Sequence, residues 1–165
     1  MNMVGMRLVY ALCLSMACSV AGGAGAQPQL PKDATQPQFS SVKGRCLRIA
    51  IGTQDLTKVC AAEIGRSLHA DGRSGLYFFM GKDHIITFTG IPLKEKTRDQ
   101  NQIEAIKLDE VILNDGKSQG GIQRIAAKGA CNTSQIDGTR FLVACSGTME
   151  KGTAFSANFE IDKSL

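Results

Sequence analysis

Two pairs of cysteines with one spacing constrain this chain more than any other feature. Lys43-Gly44-Arg45-Cys46 and Lys128-Gly129-Ala130-Cys131 open alike, and each is followed fourteen positions later by a second cysteine, Cys60 and Cys145. Four cysteines admit three disulfide connectivities. Cys46–Cys60 with Cys131–Cys145 is the favoured pairing, because each bond then closes a loop that a hairpin can supply. A loop of this length removes about 3 kcal/mol of unfolded-chain entropy, less any native strain. Two reduced, buried pairs are the alternative. A metal site fits less well, since there is no Cys-x-x-Cys spacing and the chain holds only two histidines. The two Lys-Gly-x-Cys segments suggest two similar halves, but the likeness beyond the spacing is thin and leaves coincidence open.

Disulfides need an oxidising compartment, and the N-terminus carries the matching address. Arg7 supplies a short positive region, residues 8–20 are mostly apolar, and Ala24-Gly25-Ala26 is a small-x-small cleavage site. Residues 1–26 therefore read as a signal peptide. The apolar run is short for a membrane span, so no stable span is expected after cleavage. Removing the leader takes away Cys13, Cys18 and Arg7, and leaves 139 residues with a net charge of +3. That length makes one domain with a real core. The small charge, mixed in sign along the chain, implies solubility and selects no partner.

Residues 27–41 hold three prolines among polar residues and read as a flexible arm, with Phe39 its first anchored position. Residues 42–165 are expected to form a single β domain. Strands are expected over 43–51, with Leu47, Ile49 and Ile51 on one face, then over 56–61, 76–80, 84–89, 103–113, 122–130 and 139–146. Residues 61–69 read either as a short helical turn or as a ragged edge strand. The clearest pattern is the last. Thr153, Phe155, Ala157, Phe159 and Ile161 alternate with Ala154, Ser156, Asn158 and Glu160, one face buried and one wet. Such alternation belongs to antiparallel sheets. The fold class is all-β, an antiparallel β-sandwich or a small β-barrel with two disulfides.

Chemistry is harder to find. His69 and His84 are fifteen residues apart, each without a second histidine at metal-ligand spacing. Gly72-Arg73-Ser74-Gly75 is a turn, not a nucleophile elbow. Residues 116–121 lack the Gly-Lys-Ser/Thr order of a phosphate loop. Glu104, Asp109 and Glu110 near Lys107 read as a solvated strand edge. Basic residues are dispersed and aromatics scarce, which argues against nucleic acid. No catalytic residue, metal or cofactor is expected.

The leading functional expectation is a periplasmic or secreted, non-catalytic binding or inhibitory module of the cell envelope. A stapled β scaffold holds recognition loops in place at low entropic cost. The first candidate loop spans residues 94–101 and carries Lys94, Lys96 and Arg98; the second spans 132–139 and carries Asn132 and Gln135. Expected partners are an envelope protein, a saccharide or an apolar small molecule. A closed barrel with an apolar lumen would favour the small molecule, and a filled core would favour surface recognition. The alternatives are a small hydrolase with a dispersed Asp/Glu/His site, and a structural or assembly subunit.

Overall fold

The computed structural model describes residues 36–94, 100–117 and 120–164. The chain divides into Met1–Pro31 and Lys32–Leu165. The first unit, including the expected signal peptide, lies outside the described residues, as does most of the expected arm. The second is a barrel.

Its strands are β1 (Gln38–Ile51), the short β2 (Gln54–Asp55), β3 (Cys60–Leu68), β4 (Ser74–Met80), β5 (His84–Pro92), β6 (Gln102–Asn114), β7 (Ile122–Gln135), β8 (Arg140–Met149) and β9 (Ala154–Asp162). From β3 onwards each strand pairs antiparallel with the next in sequence, and β9 returns to β1. Eight strands close the ring, with β2 appended to β1. Of the two expected architectures, the barrel is the one formed. Closure removes the open edges that an antiparallel sheet of this size would otherwise expose.

The ring is closed by β1 changing partners. Residues 38–43 pair with β3, and residues 44–51 pair with β9. Where the exchange happens, β1 and β3 part, and Cys46–Cys60 bridges the opening with its Cα atoms 6.1 Å apart. The second disulfide, Cys131–Cys145, joins directly opposed residues of β7 and β8 with Cα atoms 3.9 Å apart. The favoured connectivity is therefore the one present, and two formed disulfides belong with an oxidising, non-cytoplasmic compartment. Among the described residues no helix is long and apolar enough to cross a membrane.

Four expectations need correction, the first being the strand over 56–61, which begins only at Cys60 because Thr57–Val59 is a 3-10 turn. Leu47 does not share a face with Ile49 and Ile51. A bulge between Cys46 and Arg48 absorbs it, so Cys46 and Ile49 both face inward and Leu47 is exposed. The arm was expected to run to Ser41, but Gln38–Ser41 is already strand, paired with Ser67, Arg66 and their neighbours. Phe39 anchors it there, edge-on to Tyr77 with ring centroids 5.4 Å apart. A Cβ at residue 65 would lie 2.6 Å from the Phe39 ring, so only Gly65 admits it. Residues 61–69, read as helical turn or edge strand, belong through Leu68 to β3, and Ile64–Leu68 pair with β1 on one side and β4 on the other.

The core is the lumen. Phe78 meets Phe88 and Phe159 edge-on at 5.5 and 6.4 Å, and Phe88 stacks on Phe155 at 5.1 Å. Ile49, Ile64, Leu76, Ile106, Val111, Val143 and Ala157 complete the filling. Phe155 fits because Gly129 and Gly147 face each other beneath it. A Cβ at Gly147 would stand 2.7 Å from its ring and 2.3 Å from the Lys128 carbonyl oxygen. Eight-stranded barrels are just wide enough to be filled this way or to hold one small ligand. This one does the first along most of its length.

Candidate functional site

The filling stops short of one end. There the turns at 52–53 and 81–83, with residues 115–117 and 120–121, surround a half-open cavity of about 510 Å³. Its wall is built from inward-facing strand ends, Ile51, Met80, Ile86 and Leu113, together with Leu56 and Val59 from the connection between β1 and β3. Each strand contributes here for one reason. The inward positions continue to the strand end, and no aromatic side chain reaches this level from the core.

The connection is held in place from several directions. The Thr57 hydroxyl accepts the Ile49 backbone N–H at 3.0 Å and donates to the Asp55 carboxylate at 2.6 Å. That carboxylate also accepts the Thr57 N–H at 2.9 Å, and the hydroxyl contact is the largest cause holding the Asp55 pKa below its ordinary 3.8. The Val59 carbonyl accepts the Gly81 N–H at 2.7 Å, and the Leu56 N–H donates to the Ile49 carbonyl at 2.8 Å. With Cys46–Cys60 beside it, this segment forms one lip of the mouth. Polar groups are confined to the rim, namely Gln54, His84, Asn114, Asp115 and Gln123.

The opposite end carries charge. Arg66 of β3 shares a face with Leu76, and Glu104 of β6 shares one with Ile106, so both side chains turn inward. They form an ion pair between strands that are not neighbours in the ring. Nearby, Arg73 holds Asp109 through two hydrogen bonds of 2.8 and 2.6 Å. This contact is the main reason the Asp109 carboxyl sits below, and the Arg73 guanidinium above, its ordinary pKa. The barrel thus has an apolar mouth at one end and, at the other, a partly exposed ion pair that spans β3 and β6.

Of the expected recognition residues, Lys94, Asn132 and Gln135 are described, and none of them lines the mouth. Lys94 is exposed just beyond β5, while Lys96 and Arg98 lie outside the described residues. Asn132 and Gln135 are not in a loop. β7 continues through Gln135, opposite Phe141 and Ala144, and only residues 136–139 turn. The polar composition suggested a loop, but the pairing with β8 runs two rungs past Thr133. Asn132 is half-buried and accepts the Gln102 side-chain amide at 3.3 Å.

The histidines also separate. His84 stands in the rim of the mouth. His69 is on the outer wall, where its Nε2 lies 3.1 Å from the Ser67 hydroxyl, itself 3.0 Å from the Tyr77 hydroxyl. Ser67 is only 2% exposed. Among the described residues no carboxylate hydrogen-bonds His69, the arrangement a Ser–His nucleophile needs behind its imidazole. No cluster of three or more His, Cys, Asp or Glu at metal-binding range occurs among the described residues.

No family model matches this chain, and no curated protein or solved structure matches it either. The mouth escaped the sequence because its residues come from four stretches, 51–59, 80–86, 113–115 and 121–123, that only the fold brings together. The one local signal, the Asn114–Lys117 turn with Gly120 and Gly121 beyond, marks a rim and says nothing of a cavity.

Proposed function

We propose that the protein is a non-catalytic binding module that takes an apolar small molecule, or the apolar part of one, into the open mouth of the barrel. A single observation carries this reading: an apolar, half-open cavity of about 510 Å³ at the one end that the core leaves unfilled. Ligand sites are typically concave, mostly apolar and supplied with a few polar groups, and cavities of this size hold small organic molecules. The rim of amides and one histidine fits that description. The signal-like leader and the two disulfides support a periplasmic or secreted location.

The chain has no tryptophan, so binding is read with an external dye. N-phenyl-1-naphthylamine, neutral and apolar, should gain fluorescence and shift to the blue on the purified mature chain. Val59 is 52% exposed on the lip, so Val59→Asp should fold normally and lose most of that gain. Dye binding that is absent in the parent, or equal in parent and folded variant, would reject the mouth as the site.

A further inference from the structure

We infer that the mouth selects an amphiphile with a cationic amine head, held at Asp115, over one with an anionic head. The inference rests on the mouth being a ligand site and concerns which ligand it takes. Among the described residues that line the cavity, Asp115 is the only carboxylate, His84 is the only other titratable side chain, and neither Lys nor Arg is present. A fatty-acid or phosphate head would find no cation in the wall to offset its desolvation.

Asp115 is positioned rather than loose. Its Oδ1 accepts the Lys117 backbone N–H at 3.0 Å, and its own N–H donates to the Gly121 carbonyl at 3.0 Å. A Cβ at Gly121 would fall 1.8 Å from Oδ1, so the carboxylate occupies space that only glycine leaves free. Its Oδ2 meets the Lys117 ammonium at 3.7 Å, a long contact to a side chain 80% exposed. Such surface pairs contribute little and yield readily to a competitor. A ligand ammonium anchored by a tail in the cavity is such a competitor, because the tail supplies the ordering that Lys117 must repeat each time. Asp83 of the neighbouring turn packs against Gly116, where a Cβ would approach its Cβ to 2.4 Å, but it does not line the cavity. Lys82 and Lys117 belong to the same two turns, but neither lines the cavity.

The test uses three probes with one tail: nonylammonium, nonan-1-ol and nonanoate, each titrated into the mature chain at pH 7 by calorimetry and by backbone amide shifts. Nonylammonium should bind tightest. Asp115→Asn, shown folded by an unchanged far-UV spectrum and melting point, should weaken it by about fivefold, the range of a partly exposed ion pair, and leave nonan-1-ol unchanged. Nonanoate or nonan-1-ol binding as tightly as nonylammonium, or Asp115→Asn binding it unaltered, would overturn the choice of head group while leaving the mouth a ligand site. Failure of all three probes to bind would overturn the ligand site itself.

Discussion

The two disulfides have the same sequence separation, and they do different work. Cys131–Cys145 sits within a ladder of nine paired positions between β7 and β8. It ties together residues that backbone hydrogen bonds already hold side by side. Cys46–Cys60 sits where β1 has left β3 for β9, and no ladder rung joins the strands at that height. It replaces pairing that is missing, and it anchors the segment that carries Leu56 and Val59 to the mouth. Equal spacing in a sequence therefore does not imply equal roles in a fold. One bond reinforces the wall and the other closes a seam beside the candidate site.

Because both loops have the same length, the unfolded-chain term is the same for both, about 3 kcal/mol. Any measured difference then belongs to the native state. The Cys131–Cys145 pair lies in the core at 2% and 1% exposure. Replacing both by Ala removes two buried sulfurs and leaves a cavity among Ile106, Val143 and Ala157. The Cys46–Cys60 pair is only half-buried, and its loss can be relieved by loosening residues 47–59 without unfolding the ring. Urea denaturation should show Cys131→Ala/Cys145→Ala less stable than Cys46→Ala/Cys60→Ala by about 1–2 kcal/mol. The seam variant should instead lose dye binding at the mouth. The reverse order of stabilities would mean that the seam, not the hairpin wall, is the weaker native structure without its bond.

The same contrast orders their chemistry. A thiol reductant must reach a sulfur to attack it. In the folded chain Cys46–Cys60 should open first, by about tenfold or more in rate, as read by alkylation and peptide mass spectrometry. Simultaneous opening of both bonds would show that reduction proceeds through global unfolding, and would erase the distinction between seam and wall.

The sequence disclosed the parts of this fold in which one strand face is wet and the other dry. β9 is the plainest case; the β4–β5 hairpin was legible instead from the aromatic and β-branched residues flanking Gly81-Lys82-Asp83, although both of its faces are largely buried. It failed where that alternation breaks. On β3, Gly65 and Ser67 face outward yet are covered by Phe39 and Tyr77, so both faces look buried and the period is lost. At Leu47 a bulge shifts the register, and a bulge leaves no compositional mark. At the start of β1, prolines just upstream disguised residues that pair with β3. The mouth was illegible for a different reason. It is assembled from four stretches separated along the chain, and no one of them encloses a cavity by itself.

Each disulfide loop also contains an Asp-x-Thr turn, and these sharpen the comparison at its smallest scale. Asp55 and Asp137 both accept the backbone N–H and the hydroxyl of the threonine two residues on. Asp137 adds Arg140, whose Nε donates to Oδ2 at 2.7 Å and whose backbone N–H donates to Oδ1 at 2.8 Å. The guanidinium contact is the largest cause that lowers the Asp137 pKa from 3.8 to about 2. A carboxyl whose folded pKa is depressed stabilises the fold fully above its unfolded value, and that contribution disappears as pH falls through the folded one. Asp137→Asn should therefore be slightly less stable than the parent at neutral pH, with the gap narrowing between 3.8 and about 2. The Arg140 and Asp137 side chains are 43% and 41% exposed, so the effect belongs among surface pairs, which are modest and weakened by salt. Side-chain carboxyl shifts followed by NMR across that range would locate each midpoint. A midpoint for Asp137 near 3.8 would mean that Arg140 does not hold it in solution. The wall hairpin would then end in a turn no better fixed than the one beside the seam.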